Sequence, residues 1–312
     1  MNIVQDDLKR RKDTARSLYI EHEAKTNPLY TSAIDVEKGL KTVTLDEVRR
    51  LHEYIQKNSC GSIIVNIPEN KPEIKQTIID NCNKLNSVKE YNYKIDEVYN
   101  DNQKSVVITK ARNISQADIM QTYKYKYEDN IKNRVCEKLM NNILNSSKEI
   151  GLFNTLREKE HLAYSVHSHT KRIGNSGELS CSILTTTDNK EINEISYDNV
   201  QKSINGFHRQ INALLNSEYS DEDLENAKRS FKADLLNTEG ISTKLMAIEG
   251  SFRSEFGVER PNLLYDAIDN ITREDIQEFA KKVFANPPIY TIVATQDTLD
   301  ANKEYFEKLK LA

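Results

Sequence analysis

Within the stretch Leu152-Phe-Asn-Thr-Leu-Arg-Glu-Lys-Glu-His-Leu-Ala-Tyr-Ser-Val166, two side chains are suited to gripping a carbonyl oxygen. Arg157 is a permanent cation with five N–H donors, and Tyr164 is a phenolic donor. Leu152, Phe153 and Leu156 recur at helical spacing, whereas Leu162-Ala-Tyr-Ser-Val166 reads as a β run. A helix therefore ends and a strand begins between Arg157 and Tyr164. Seven residues of separation let the guanidinium and the phenol converge on one point of a cavity. The alternative is that Arg157 pairs with a neighbouring carboxylate and Tyr164 is an ordinary strand tyrosine, since surface ion pairs are common. His167 and His169 alternate along the same predicted strand and so face one way, a candidate metal pair without an acidic or thiol partner at a telling distance. Cys60, Cys82, Cys136 and Cys181 are too far apart for a C-x-x-C ligand pair and read as buried or incidental thiols.

The elements that must position these residues follow from periodicity and caps. Residues 4 to 25 favour helix, broken by Asn27-Pro-Leu-Tyr30. Thr44-Leu-Asp-Glu47 is a capping box, followed by an apolar face of Val48, Leu51 and Ile55. Ser62–Ile67 reads as a buried strand, and a helix is expected from about Pro72 to Leu85. Ser87 to Gln103 lacks an apolar period and reads as a surface linker. Beyond it, Val106–Thr109 and Ala117–Tyr123 are strand-like, and Glu128–Asn145 forms an amphipathic helix through Ile131, Val135, Leu139 and Ile143. A turn at Gly174–Gly177 leads into the alternating strand Glu178–Thr186. Helices are expected over Asn193–Leu215, after Ser220, and after the cap Thr272-Arg-Glu-Asp275, with a last strand at Ile289–Ala294.

The chain of 312 residues, 38% hydrophobic and 29% charged, is long enough for two domains and has no apolar run of membrane-spanning length. Its net charge of −4, with no sustained basic stripe, argues against nucleic acid as the main partner. The start, Met-Asn-Ile-Val-Gln-Asp-Asp-Leu-Lys-Arg-Arg-Lys, offers no signal-peptide segment, so the expected location is cytoplasmic.

Setting Thr44 against Thr272 shifts the chain by 228 residues, and Val43–Ile67 then aligns with Ile271–Thr295 without a gap. Val48 meets Ile276, Leu51 meets Phe279, Ile55 meets Val283, and Ile64-Val65 meets Ile292-Val293. A capped helix, an equal loop and a strand in one register indicate an internal repeat. The expected organisation is the back part of a truncated first repeat over 1–86, a linker over 87–104 and one complete unit over 105–312.

With these elements in order, the sequence resembles the pitrilysin or insulinase family of inverted-motif zinc metallopeptidases. The resemblance rests on Leu152–Val166, on Thr26-Asn-Pro-Leu-Tyr30 followed by the capped helix, on Ser115-Gln-Ala-Asp118 opening a strand, and on the closing Ile-Thr-Arg-Glu-Asp helix with its strand. It implies an α+β fold of two-layer sheet-and-helix repeats, here one complete repeat preceded by the tail of another. It also implies that Arg157 and Tyr164 face a zinc site across a chamber and bind the substrate peptide. The family's H-x-x-E-H helix is absent. Its nearest imitation, Leu18-Tyr-Ile-Glu-His22, has Leu in the first histidine position and reads as coincidence. No metal is therefore expected in this chain, and zinc is expected in a missing half. The resemblance implies peptide substrate and an H-x-x-E-H-bearing half or subunit as partners, in a homo- or heterodimer. The second reading is a non-catalytic peptide- or protein-binding scaffold subunit of the same family.

Overall fold

A computed structural model describes residues 17–27, 33–58, 71–83, 98–100, 103–236 and 260–311. The chain divides into two compact units. One comprises Met1–Ala33, Ile95–Lys232 and Asp266–Ala312; the other comprises Ile34–Lys94 and Ala233–Tyr265. No described helix is long and apolar enough to cross a membrane.

The first unit is built on a five-stranded sheet. In chain order its strands are β1 (Val106–Ala111), β2 (Gln116–Lys126), β3 (Ser165–Ile173), β4 (Ser176–Thr186) and, near the end, Ile289–Ala294. That last strand becomes β7, because Asp188–Asn189 (β5) and Glu194–Ile195 (β6) pair separately as a small ribbon. The spatial order is β1-β7-β2-β4-β3, with β1 parallel to β7 and the remaining neighbours antiparallel.

Strand alternation gives this sheet two faces of different character. On one face Ile119, Tyr123, Leu179, Cys181, Ile183, Tyr290 and Ile292 are buried. They lie beneath three amphipathic helices: Ile131–Ser146, Asn199–Leu215 and Arg273–Val283. The first of these begins at Asn130, whose side chain accepts from the Asn133 N–H, and not at Glu128. The second begins six residues later than Asn193, which has φ of +51° and leads into β6; that short pairing takes the residues assigned to helix from periodicity. The third carries the predicted cap, with Thr272 and Asp275 satisfying each other's backbone N–H groups.

The opposite face is largely polar. The row His167–Ser182–Met120–Thr291 and the row His169–Ser180–Thr122–Ile289 run across it. The helix Ser17–Thr26, here α1, lies over β7, β1 and β2 on this face. Leu18 packs with Met120 and Val293, while the rest of the attachment is polar. Lys124 donates to the Thr26 carbonyl, Lys171 pairs with Glu23, and Lys110 lies 3.5 Å from Glu21.

In the second unit the helices α2 (Ala33–Thr42), α3 (Leu45–Asn58) and α4 (Pro72–Cys82) are described. The predicted cap is present: the Glu47 N–H donates to Thr44 Oγ1, and the Thr44 N–H donates to the Glu47 carboxylate at 2.8 Å. The expected strand Ser62–Ile67, the start of the first predicted helix before Ser17, and most of the expected linker lie outside the described residues. Completing the numbering, Ile131–Ser146 is α5, Asn199–Leu215 α6, Asp221–Leu236 α7, Arg260–Ile268 α8, Arg273–Val283 α9, Gln296–Ala301 α10 and Lys303–Leu311 α11.

Candidate functional site

Between α5 and β3 the chain forms a wide helical turn over Phe153–Lys159, a π-helix. Its entry depends on Gly151. A Cβ there would lie 2.4 Å from the Ser147 carbonyl oxygen, a backbone atom with no room to yield. The turn is anchored by Leu152 and Leu156, both fully buried, and Leu156 packs where a side chain on Gly206 of α6 would otherwise stand. The Glu160 N–H reaches the Thr155 carbonyl and the Leu162 N–H reaches that of Leu156, so the exit is wider than an α-helix. His161 then adopts φ of +54°, a left-handed conformation that redirects the chain into the strand. Arg209 of α6 pairs with Glu160 at 2.6 Å and holds this exit against the helix layer.

Arg157 is on the exposed side of the π-helix. Its guanidinium carbon lies 4.9 Å from the Phe153 ring centre, and its Nε is 3.5 Å from Glu158. Tyr164 donates its backbone N–H to the Leu184 carbonyl, while its side chain is 73% exposed. The two residues thus occupy adjoining segments joined by the His161 turn, and the strand starts at Ser165 and not at Leu162. An exposed ion pair of the Arg157–Glu158 kind is worth at most about 1 kcal/mol, so it competes weakly with a better acceptor.

The register shows what shares this end of the sheet. Ser165, Leu184, Asp118 and Val293 form one row, and beyond it β1 and β7 end at Ala111 and Ala294. Asp118 is raised to about 6 by burial. At the far edge a cleft of about 370 Å³ is lined by Arg112, Asn113, Lys190, Thr295 and Asp297 among others. The Ser-Gln-Ala-Asp118 match marked the start of this strand in the sequence. The cleft gave no sequence signal, because its residues come from three distant loops.

His167 and His169 do face one way, with ring centres 5.9 Å apart. His169 also packs against Tyr19 of α1, and burial lowers its pKa. Among the described residues no group of three or more His, Cys, Asp and Glu is arranged to hold a metal. In the stretch Leu18–His22, Glu21 is directed to Lys110, and His22 is buried with Nδ1 3.1 Å from Thr291 Oγ1. Of the thiols, Cys136 and Cys181 are buried and free, and burial raises both to about 12.

A sequence profile described as the peptidase M16 inactive domain matches residues 42–231. The chain belongs to this family. It is a C-terminal portion of the pitrilysin or insulinase type. A search of curated proteins finds no match. Among solved structures, the peptidase M16 inactive domain from Pseudomonas fluorescens is similar over 95% of this chain and 69% of its own, with a TM-score of 0.69 at 15% identity. Pitrilysin is similar over 93% of this chain and 30% of its own, with a TM-score of 0.65 at 13% identity. The ferredoxin protease FusC, solved in complex with Arabidopsis ferredoxin, is similar over 93% and 31%, with a TM-score of 0.63 at 13% identity. This M16 chain therefore spans about a third of the length of pitrilysin and FusC, and the likeness at these identities concerns the fold.

Proposed function

We propose that the chain is the substrate-binding back portion of a zinc metalloendopeptidase whose H-x-x-E-H zinc site is supplied by a missing or separate half. The observation that carries this reading is the pair Arg157 and Tyr164, exposed on adjoining segments whose backbone is fixed by the π-helix and the His161 turn. A guanidinium and a phenol in such positions would hold the carbonyl of a bound peptide and stabilise negative charge as it develops. The described residues of this chain do not fit a zinc site of their own: His167 and His169 lack a third ligand, and the His22 Nδ1 is engaged by Thr291. Zinc would accordingly belong to the other half. The cytoplasmic location and the division of the chain into two related repeats belong to the same proposal.

The test is reconstitution. The chain alone is expected to bind no stoichiometric zinc and to cleave no peptide; mixed with a zinc-bearing half it should gain hydrolysis. In the mixture Tyr164→Phe should lower kcat by about 100-fold, the scale for losing one oxyanion donor, and change KM far less. Reconstituted activity indifferent to both Tyr164→Phe and Arg157→Ala would remove their assignment.

The second reading, a non-catalytic scaffold that holds a peptide or protein, is favoured by one feature. Arg157 already stacks on Phe153 and lies 3.5 Å from Glu158, the contacts of an ordinary exposed arginine. Peptide binding by the chain alone, unchanged by a chelator, would select it.

A further inference from the structure

Just beyond the end of β4 the chain buries a carboxylate that its neighbours leave half satisfied. Asp188 opens the β5–β6 ribbon, and its N–H and that of Thr187 both donate to the Ser115 carbonyl, which fixes its place beside the start of β2. The Asp188 side chain is wholly buried. Its Oδ2 accepts from Thr295 Oγ1 at 3.3 Å, a hydroxyl that is also 2.8 Å from Thr298 Oγ1. Its Oδ1 has no partner among the described residues. A buried carboxylate with one long hydrogen bond is costly unless a positive charge stands against it.

The charge that stands there is held loosely. The Lys190 ammonium lies 3.7 Å from Asp188 Oδ2 and 3.3 Å from Asp297 Oδ2, and its side chain is 70% exposed. Both distances exceed the about 2.7–2.9 Å of a close ammonium–carboxylate bond. Two carboxylates from separate loops thus face one point, because Thr295 and Asp297 open α10 just beyond β7 while Asp188 follows β4. Neighbouring groups register both charges. The hydrogen bond to Asp297, and then the charges of Asp188 and Asp297, raise Lys190; desolvation, and then the same two charges, raise Tyr197. Asp188, Thr295 and Lys190 line a cavity of about 320 Å³ together with Asn113, Ser115 and Glu191. No imidazole or thiol is among the lining residues.

We infer that Asp188, Asp297 and Thr295 form a binding site for a hard divalent cation of the calcium class, at the place the Lys190 ammonium now spans. Calcium accepts irregular sets of oxygen ligands at about 2.3–2.6 Å, whereas magnesium demands a near-ideal octahedron and structural zinc takes nitrogen and sulfur. The ion gives Asp188 Oδ1 its partner, draws in Asp297 from α10, and completes its shell with water. Bound there, it ties the β5–β6 ribbon and the start of α10 to the end of the sheet where the Leu184 carbonyl holds the Tyr164 N–H. Two carboxylates and a hydroxyl with an internal competitor make a weak site, with Kd on the order of 10⁻³ M. The site is independent of the zinc chemistry proposed above, and neither needs the other.

The experiment loads the full chain with terbium, excites its tyrosines and displaces the terbium with calcium chloride. The chain has no tryptophan, and Tyr197 is a phenol on which both carboxylates act, so it should sensitise the ion. Lys190→Ala should tighten calcium binding by about fivefold, since the cation no longer displaces an ammonium from an exposed ion pair. Asp188→Asn and Asp297→Asn should each weaken it by about tenfold or more, because affinity follows the charge of the ligands. Asp297 is exposed, so its variant reports on the site even if Asp188→Asn does not fold. Tyr197→Phe should dim the luminescence and leave the displacement midpoint where it was. Calcium should raise the thermal midpoint of Lys190→Ala, as a ligand of the folded state does. Binding unchanged by Asp297→Asn, binding weakened by Lys190→Ala, or no binding to either wild type or Lys190→Ala at roughly 10⁻² M calcium would overturn the site. Magnesium displacing terbium as well as calcium does would overturn the assignment to the calcium class.

Discussion

Acidification should loosen α1 from its sheet through His22. The imidazole is buried under the helix, with Nδ1 bonded to Thr291 Oγ1 and Nε2 without a partner among the described residues. Burial, and then the facing Lys124, hold it to about 4, with Lys171 and His169 adding to the effect and Glu23 opposing it. A detached helix would return His22 to its ordinary 6.5. The folded value is the lower one, so the detached state binds the proton first. Docking is therefore at full strength above pH 6.5 and weakens as pH falls toward 4. The full displacement corresponds to about 3 kcal/mol, and at pH 5 about 2 kcal/mol of it is lost. Two neighbours titrate nearby. Glu23, partly buried but held low by Lys171 and Asn27, loses its contribution only below its ordinary 4.5. Asp118, raised by burial to about 6, acts in the opposite direction, because its protonation on acidification favours the buried form. A comparison with His22→Gln cancels both. The assay is hydrogen exchange of the amides of residues 20–26 between pH 7 and pH 5, corrected for intrinsic exchange. Protection should fall about 30-fold more in the wild type than in His22→Gln, the equivalent of the 2 kcal/mol. Equal pH dependence in the two proteins would refute the reasoning.

Two further substitutions test the frame around the site. Asn145 of α5 caps the outer edge of β3, accepting from the Ser168 N–H at 2.6 Å and donating to the Ser168 carbonyl at 3.0 Å. Asn145→Ala should cost about 2 kcal/mol for the two bonds in urea unfolding and, by freeing an edge strand, produce concentration-dependent association visible by light scattering; an unchanged midpoint would show the cap to be idle. Gly151→Ala drives a methyl into the Ser147 backbone and should destabilise by about 1–3 kcal/mol, checked by thermal unfolding, because the entry to the π-helix must shift to admit it. Stability equal to wild type would mean that this turn is looser than its contacts indicate.

Much of the local structure was written in the chain itself. The caps at Thr44 and Thr272, the helices behind them, the alternating strand through Glu178–Thr186 and the helix-to-strand change between Arg157 and Tyr164 all depend on residues within a few positions of one another, which is the range over which periodicity and capping act. The limits of that reading were also local: Asn193–Ile195 looked helical but is drawn into a strand pairing with Asp188–Asn189. Tertiary structure decided the rest. Only long-range pairing sets β1 parallel to β7 across some 180 residues, and so joins Asp118, Ser165 and the cleft around Lys190 at one end of the sheet. The π-helix needs Leu156 seated against Gly206, a partner no window around Arg157 contains. By sequence His22 is only a chance resemblance to a metal motif; its environment comes from distant strands, through Thr291 and Lys124. The clearest case is the repeated helix. Val48-Leu51-Ile55 and Ile276-Phe279-Val283 carry the same pattern, yet one face is exposed and the other buried. An amphipathic pattern specifies that a face must be covered; whether and by what is fixed by the layer folded against it.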